Sequence, residues 1–191
     1  MQLILASSSR YRRELLERLG LPFEQLSPDI DESHIPNENP TQLAKRLSIA
    51  KAKKLAQKFH QHLIIGSDQT VECLNQTYNK PGNAISAAKQ LSALSGNTAF
   101  FHTGICILDS ASNRELSDVV STKVVFRELD EATISRYLKQ DQPYDCAGSF
   151  KAESLGIALF EAIYSDDPTA LMGLPLIRLS QFLEQSGCPV I

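Results

Sequence analysis

Leu3-Ile4-Leu5-Ala6-Ser7-Ser8-Ser9-Arg10-Tyr11-Arg12-Arg13 is the stretch from which the fold is read. Four consecutive apolar residues suit a buried strand. Three serines then break the strand. Leu15, Leu16 and Leu19 follow at helical spacing, with Gly20 as the stop. Strand, polar break and helix in that order open an α/β pattern.

Working outward, the same alternation continues. Phe23 to Leu26 reads as a second strand that ends at Pro28, and an acidic loop follows at Asp29-Ile30-Asp31-Glu32. Asn39-Pro40 opens a long helix, with asparagine as the cap and proline in the first turn. Its predicted buried side is Leu43, Leu47, Ala50, Leu55 and Phe59. Leu63-Ile64-Ile65-Gly66 is another buried-type strand, which resumes from Val71 to Leu74 after Ser67-Asp68-Gln69-Thr70. A helix from about Ala84 to Leu94 is expected to turn Ile85, Ala88 and Leu91 inward. Thr98 to Leu108 and Leu116 to Phe126 flank a polar turn and read as two long antiparallel strands. Asp130 caps a helix through Leu138, and Asp145 to Phe150 and Ile157 to Tyr164 read as further strands. A helix from Leu176 to Leu183 follows. The order predicts an α/β fold with a mixed sheet.

Composition bounds the function classes. The 191 residues are 42% hydrophobic and 21% charged, enough apolar material for a real core. A net charge of −3 excludes wholesale binding of nucleic acid or an anionic membrane. An anionic ligand must therefore be met by a local cluster of cations. No stretch approaches the roughly 20 apolar residues of a membrane span, and the N-terminal order is the reverse of a secretory signal. Cys73, Cys106, Cys146 and Cys188 lie far apart, which predicts reduced thiols in the cytoplasm. The four histidines show no ligand spacing and read as surface or incidental residues.

Three segments carry potential chemistry. The serine run with its three arginines stands where a helix N-terminus offers backbone N–H groups, and guanidinium groups can fork onto phosphate. The other reading is a serine cap followed by solvated arginines. Asp68, at the end of an apolar strand, suits a hard cation or the acceptance of a proton from water; a turn aspartate bonded to its own backbone has the same pattern. Glu32 could supply a second oxygen ligand. Among the lysines of the long helix, Lys51 adjoins the buried side and alone could aim into a cleft, and Lys80 has a stiffened neighbour in Pro81; each also reads as an ordinary exposed side chain.

In order, these segments resemble the Maf family of nucleotide pyrophosphatases. The matching pieces begin with Leu3 to Ser7 with Arg12-Arg13, Asp31-Glu32, the helix of Lys51 and Gly66-Ser67-Asp68-Gln69. Lys80-Pro81, Thr103-Gly104, Ala147-Gly148-Ser149-Phe150 and Gly173-Leu174-Pro175 complete them. They run from residue 3 to roughly 180, so one domain over residues 1–191 is expected. The resemblance implies a mixed twisted sheet in two lobes around a central cleft, as in inosine-triphosphatase-like proteins, commonly assembled as a homodimer. It also implies cleavage of a nucleoside triphosphate between its α and β phosphates, with a divalent cation (Mg²⁺, Mn²⁺ or Co²⁺). By position, Asp68 looks like the catalytic base or metal-bound carboxylate and Glu32 like its metal partner. Lys51 and Lys80, with Ser7, Arg12 and Arg13, look like phosphate ligands.

Within the family the resemblance is to the 7-methyl-GTP branch, through Tyr11, Gln69 and Glu153. The pyrimidine branch usually has arginine, threonine and glutamine there, and relatives of the methylated-guanine branch tend to have tryptophan in place of Tyr11. The chemistry agrees with the branch. A carboxylate can accept both N–H donors of a guanine edge, and N7-methylation adds a positive charge that favours a carboxylate and an aromatic face. The alternatives are a dTTP or UTP pyrophosphatase and a nucleotide-binding regulator of septum formation without turnover.

Overall fold

A computed structural model describes residues 2–191. In chain order it contains β1 (Gln2–Ala6), α1 (Arg10–Glu17), β2 (Phe23–Leu26), α2 (Pro40–Ala56), β3 (His62–Cys73) and β4 (Gln76–Thr77). There follow α3 (Ala84–Leu94), β5 (Thr98–Asp109), β6 (Arg114–Phe126), α4 (Glu131–Asp141), β7 (Phe160–Tyr164) and α5 (Leu176–Gln185). Short 3₁₀ turns occur at Ala147–Ser149, Leu155–Leu159 and Ala170–Met172. The seven strands form one mixed sheet in the order β2-β1-β3-β5-β6-β7, with β4 paired to β3. β1 is parallel to β2 and β3, while β7 is antiparallel to β6. No helix among the described residues is long and apolar enough to cross a membrane.

The chain divides into two compact units. The first holds the residues up to Gln69, Thr103–Val120 and Asp167–Ile191. Its strands show the two-sided burial that a continuous apolar run requires. Leu3, Leu5, Leu63 and Ile65 pack with Leu15, Leu16 and the leucines of α5. The alternate residues Ile4, Ala6 and Ile64 pack with Ala52 and Leu55 of α2. α2 begins where Asn39 accepts the Gln42 N–H and the Gln42 side chain accepts the Asn39 N–H, a reciprocal cap with Pro40 in the first turn. At two points it seats on the sheet with no side chain between. A Cβ at Gly66 would lie 2.0 Å from the Ser48 carbonyl oxygen, and one at Gly104 would lie 2.2 Å from that of Ala44. Only glycine permits this approach.

The second unit holds Thr70–His102 and Ser121–Asp166. Its centre is aromatic. Phe150 packs edge-on against Phe101, Phe126 and Phe160, with centroids 4.8–5.7 Å apart.

Four local expectations are corrected. The apolar strand at Leu63 does not stop at Gly66, because β3 runs unbroken through Ser67-Asp68-Gln69-Thr70 to Cys73. Asp145 to Phe150 is not a strand but holds the 3₁₀ turn Ala147–Ser149, since Gly148 and Ser149 take left-handed backbone angles, φ 75° and 63°. Ile85 is exposed, and α3 instead buries Ala87, Leu91 and Leu94. Finally, His102 is buried, with its ring nitrogens 2.8 Å from Ser121 Oγ and 3.3 Å from Glu72 Oε1.

Candidate active site

The site in the first unit forms where parallel pairing stops. β1 ends at Ala6, opposite Gly66 of β3, and β3 continues. Ser67, Asp68 and Gln69 therefore lie just past the carboxyl end of β1, the region where ligands gather in α/β sheets. Ser7 follows β1 directly.

Lys51 comes to this place from α2. Its ammonium lies 2.5 Å from Asp68 Oδ1 and 2.8 Å from Glu32 Oε1. Lys51 and Asp68 are buried, while the Glu32 side chain is 58% exposed. The pair inside is thus held in low dielectric and the third member reaches in from solvent.

Arg12 lies within electrostatic reach of the same two carboxylates. Burial lowers its guanidinium from the ordinary value, and the charges of Asp68 and Glu32 oppose that change. Its Nε donates to the Gly173 carbonyl at 2.8 Å and its Nη1 to Ser7 Oγ at 3.4 Å. Ser67 Oγ donates to the same Gly173 carbonyl at 2.8 Å. Ser7 Oγ also accepts the Ser9 N–H at 3.1 Å, and Ser9 caps α1 by accepting the Arg12 N–H.

Gln69 turns its amide to the 167–173 segment. Its Nε2 donates to the carbonyls of Ala170 and Leu171 at 3.0 and 3.1 Å and to Thr103 Oγ1 at 2.9 Å. Thr103 Oγ1 in turn donates to Ala170. Buried Asp167 fixes the other end of this segment, accepting from Thr169 and from the Ile177 N–H of α5.

Ser7, Arg12, Glu32, Lys51, Asp68 and Gln69 are therefore gathered in one unit. Arg13 points along α1 to Glu17, an exposed pair at 2.9 Å. The half-buried Tyr11 has the Arg10 guanidinium 4.7 Å over its ring, and its hydroxyl accepts from Arg10 Nη2 at 2.6 Å. Lys80 and Glu153 are exposed loop residues of the second unit, before α3 and after the 3₁₀ turn at Ala147–Ser149 respectively. Sequence reading assigned no role to Ser67, Thr103, Asp167 or Gly173, although Thr103-Gly104 and Gly173-Leu174-Pro175 were among the motifs it singled out.

The donor set fits a hard divalent cation. Two carboxylate oxygens already converge on one cation, the Lys51 ammonium. Among the described residues no group of three or more His, Cys, Asp or Glu side chains could hold a metal. Two carboxylates completed by phosphate oxygens are the usual setting for Mg²⁺.

Comparison with known proteins matches the family described as Maf-like protein over residues 2–186. A 7-methyl-GTP pyrophosphatase of Nitrosococcus oceani is 50% identical over 99% of this chain and 95% of its own. Another 7-methyl-GTP pyrophosphatase, from Pseudomonas savastanoi pv. phaseolicola, is 51% identical over 98% of both chains. Among solved structures, a HAM1 protein from Coxiella burnetii shares the fold, with a TM-score of 0.57 at 17% identity over 97% of this chain and 99% of that one.

Proposed function

This chain belongs to the Maf-like protein family, and we propose that it is a nucleotide pyrophosphatase that hydrolyses 7-methyl-GTP to 7-methyl-GMP and diphosphate, clearing a modified nucleotide. The observation that carries the reading is the convergence of Asp68, Glu32 and Lys51 at the end of β1, with Arg12 bonded to Ser7 beside them.

Charge dictates the division of labour. Two carboxylates beside two fixed cations leave this cluster close to neutral, whereas a triphosphate brings about four negative charges. Glu32 and Asp68 would hold a divalent cation, which supplies the missing positive charge and draws electron density from the phosphates. Asp68 orients a water toward the α-phosphorus and takes its proton as the new P–O bond forms. The bond from that phosphorus to the bridging oxygen breaks, and diphosphate leaves with the electron pair. Lys51, Arg12, Arg13, Lys80 and the Ser7 hydroxyl hold phosphate oxygens as charge builds on them.

Base choice rests on Glu153 and Tyr11. The Glu153 carboxylate accepts the two N–H donors of the guanine edge and offsets the charge of the methylated ring. The Tyr11 ring already carries a guanidinium on its face, so that face accepts a cation. Gln69, whose amide reaches the 167–173 segment, acts on specificity through that segment. A cytoplasmic location and assembly as a homodimer complete the proposal.

The test is diphosphate release from 7-methyl-GTP, GTP, dTTP and UTP with Mg²⁺, Mn²⁺ or Co²⁺, in the native chain and in Glu153→Gln. Preference for 7-methyl-GTP that falls tens-fold in the variant supports the reading. Preference for dTTP or UTP in the native chain overturns the base assignment, and absence of turnover on all four overturns the reaction.

A further inference from the structure

The segment that carries Glu153 is anchored on both sides of that residue by the last turns of α4. Ahead of it, the Lys151 backbone N–H donates to the Tyr137 hydroxyl at 3.0 Å, and the Lys151 ammonium donates to the Asp141 carbonyl at 2.5 Å. Behind it, Ser154 Oγ donates to Asp141 Oδ1 at 2.6 Å. The Ser154 N–H closes a turn onto the Lys151 carbonyl at 3.2 Å. The chain then returns close to its own start, since a Cβ at Gly156 would lie 2.4 Å from the Lys151 carbonyl oxygen. Tyr137 is buried and Glu153 is exposed. Burial also holds the Tyr137 hydroxyl well above its ordinary range, so it remains a neutral group able to accept the Lys151 N–H.

Lysine at the carbonyl end of a helix is a familiar cap and would by itself be structural. The remaining contacts do something different. They fix the residues two before and one after Glu153 to the same helical turn, which restricts where its carboxylate can stand. A group that must meet two donors at once loses discrimination when its support is loose, because the second hydrogen bond is the first to fail.

We propose that Tyr137 and Asp141 are positioning residues for base selection, holding residues 151–154 so that Glu153 presents its carboxylate to the purine. The inference rests on the role given to Glu153 above. Neither residue touches substrate in this scheme; each acts through the loop.

The experiment measures kcat/KM for 7-methyl-GTP, GTP and UTP in the native chain and in Glu153→Gln, Tyr137→Phe, Asp141→Ala and Asp141→Asn, with thermal melting by circular dichroism. Tyr137→Phe and Asp141→Ala should each lower the 7-methyl-GTP to UTP ratio roughly fivefold, the factor that one ordinary hydrogen bond represents. Asp141→Asn should restore the ratio, because its amide oxygen still accepts from Ser154. A loss shared equally by all three nucleotides overturns the positioning role. So does an unchanged ratio in these variants beside a changed ratio in Glu153→Gln. An unchanged ratio in Glu153→Gln overturns the base assignment itself, and the inference with it. Should Tyr137→Phe fail to fold, the comparison of Asp141→Ala with Asp141→Asn decides the question.

Discussion

The Lys51 ammonium and the Asp68 carboxylate meet at 2.5 Å inside the protein, each side chain close to one-tenth exposed. A charged pair in such a place is costly to bring out of water and costly to break. Its presence beside a strand end is an arrangement for handling charge and not a contribution to folding that a leucine could not match.

Asp68→Asn preserves the shape of this pair but removes both the proton acceptor and one full charge. Diphosphate release should fall at least ~10²-fold, while nucleotide binding, read by calorimetry, survives better than turnover. Near-native turnover in the variant would move the chemistry to another group.

Lys51→Met leaves buried Asp68 without its hydrogen-bonded counter-charge, with Arg12 only at longer range. Such a loss is worth about 3–5 kcal/mol, so the urea midpoint should drop clearly. Glu32→Gln should shift stability by less than ~1 kcal/mol, because the Glu32 side chain is itself mostly open to solvent. Turnover should fall in both. Equal stability losses would mean that the exposed carboxylate is held as firmly as the buried one.

The two neighbouring arginines should separate in the same way. Arg12→Ala breaks bonds to Gly173 and Ser7 and should lower both stability and turnover. Arg13→Ala removes an exposed pair one helical turn apart, worth only ~0.3–0.5 kcal/mol, so its melting temperature should hardly move. Any loss of turnover in that variant, expected at tens-fold or more for a cation on a reacting phosphate, is then a direct effect. Native turnover would remove Arg13 from the phosphate ligands.

Cys106 supplies a prediction in pH. Burial, with the Glu115 charge reinforcing it, pushes this thiol up to about 12. The unfolded chain therefore gives up the proton first as pH rises. The stability contribution is intact below the ordinary thiol range near 9 and is lost as pH climbs toward about 12, at roughly 1.4 kcal/mol per pH unit for one proton. Urea midpoints between pH 8 and 10.5 should fall less steeply in Cys106→Ala than in the native chain. Parallel slopes would show that other groups account for the alkaline loss.

Much of this arrangement was legible beforehand. The cap at Asn39-Pro40 and the two-faced burial of Leu3 to Ala6 follow from spacing and local chemistry alone, whereas for Lys51 spacing allowed an exposed side chain as readily as an inward one. The break assumed at Ser67 to Thr70 did not, because four polar residues in a row imitate a turn unless their partners are known. Those partners, Gly173, Lys51 and Thr103, lie between 17 and 106 residues away in sequence. Likewise, His102 was set aside because nothing near it in the chain foretells Glu72 and Ser121. The inward face of α3 was misjudged at Ile85 because a side chain near a helix end can leave the apolar stripe without cost to the rest.

The seat of α2 on Gly66 and Gly104 bears on how the catalytic distances are maintained. Where side chains separate a helix from a sheet, rotamer changes can let the two drift. At these two points main chain rests against main chain, which limits the slack in the spacing that lets Lys51 reach Asp68. The ordering entropy of the pair is met when the protein folds, so in the proposed reaction a nucleotide would meet a site already ordered. A methyl group added at either glycine, without chemistry of its own, would act as a wedge that changes that spacing.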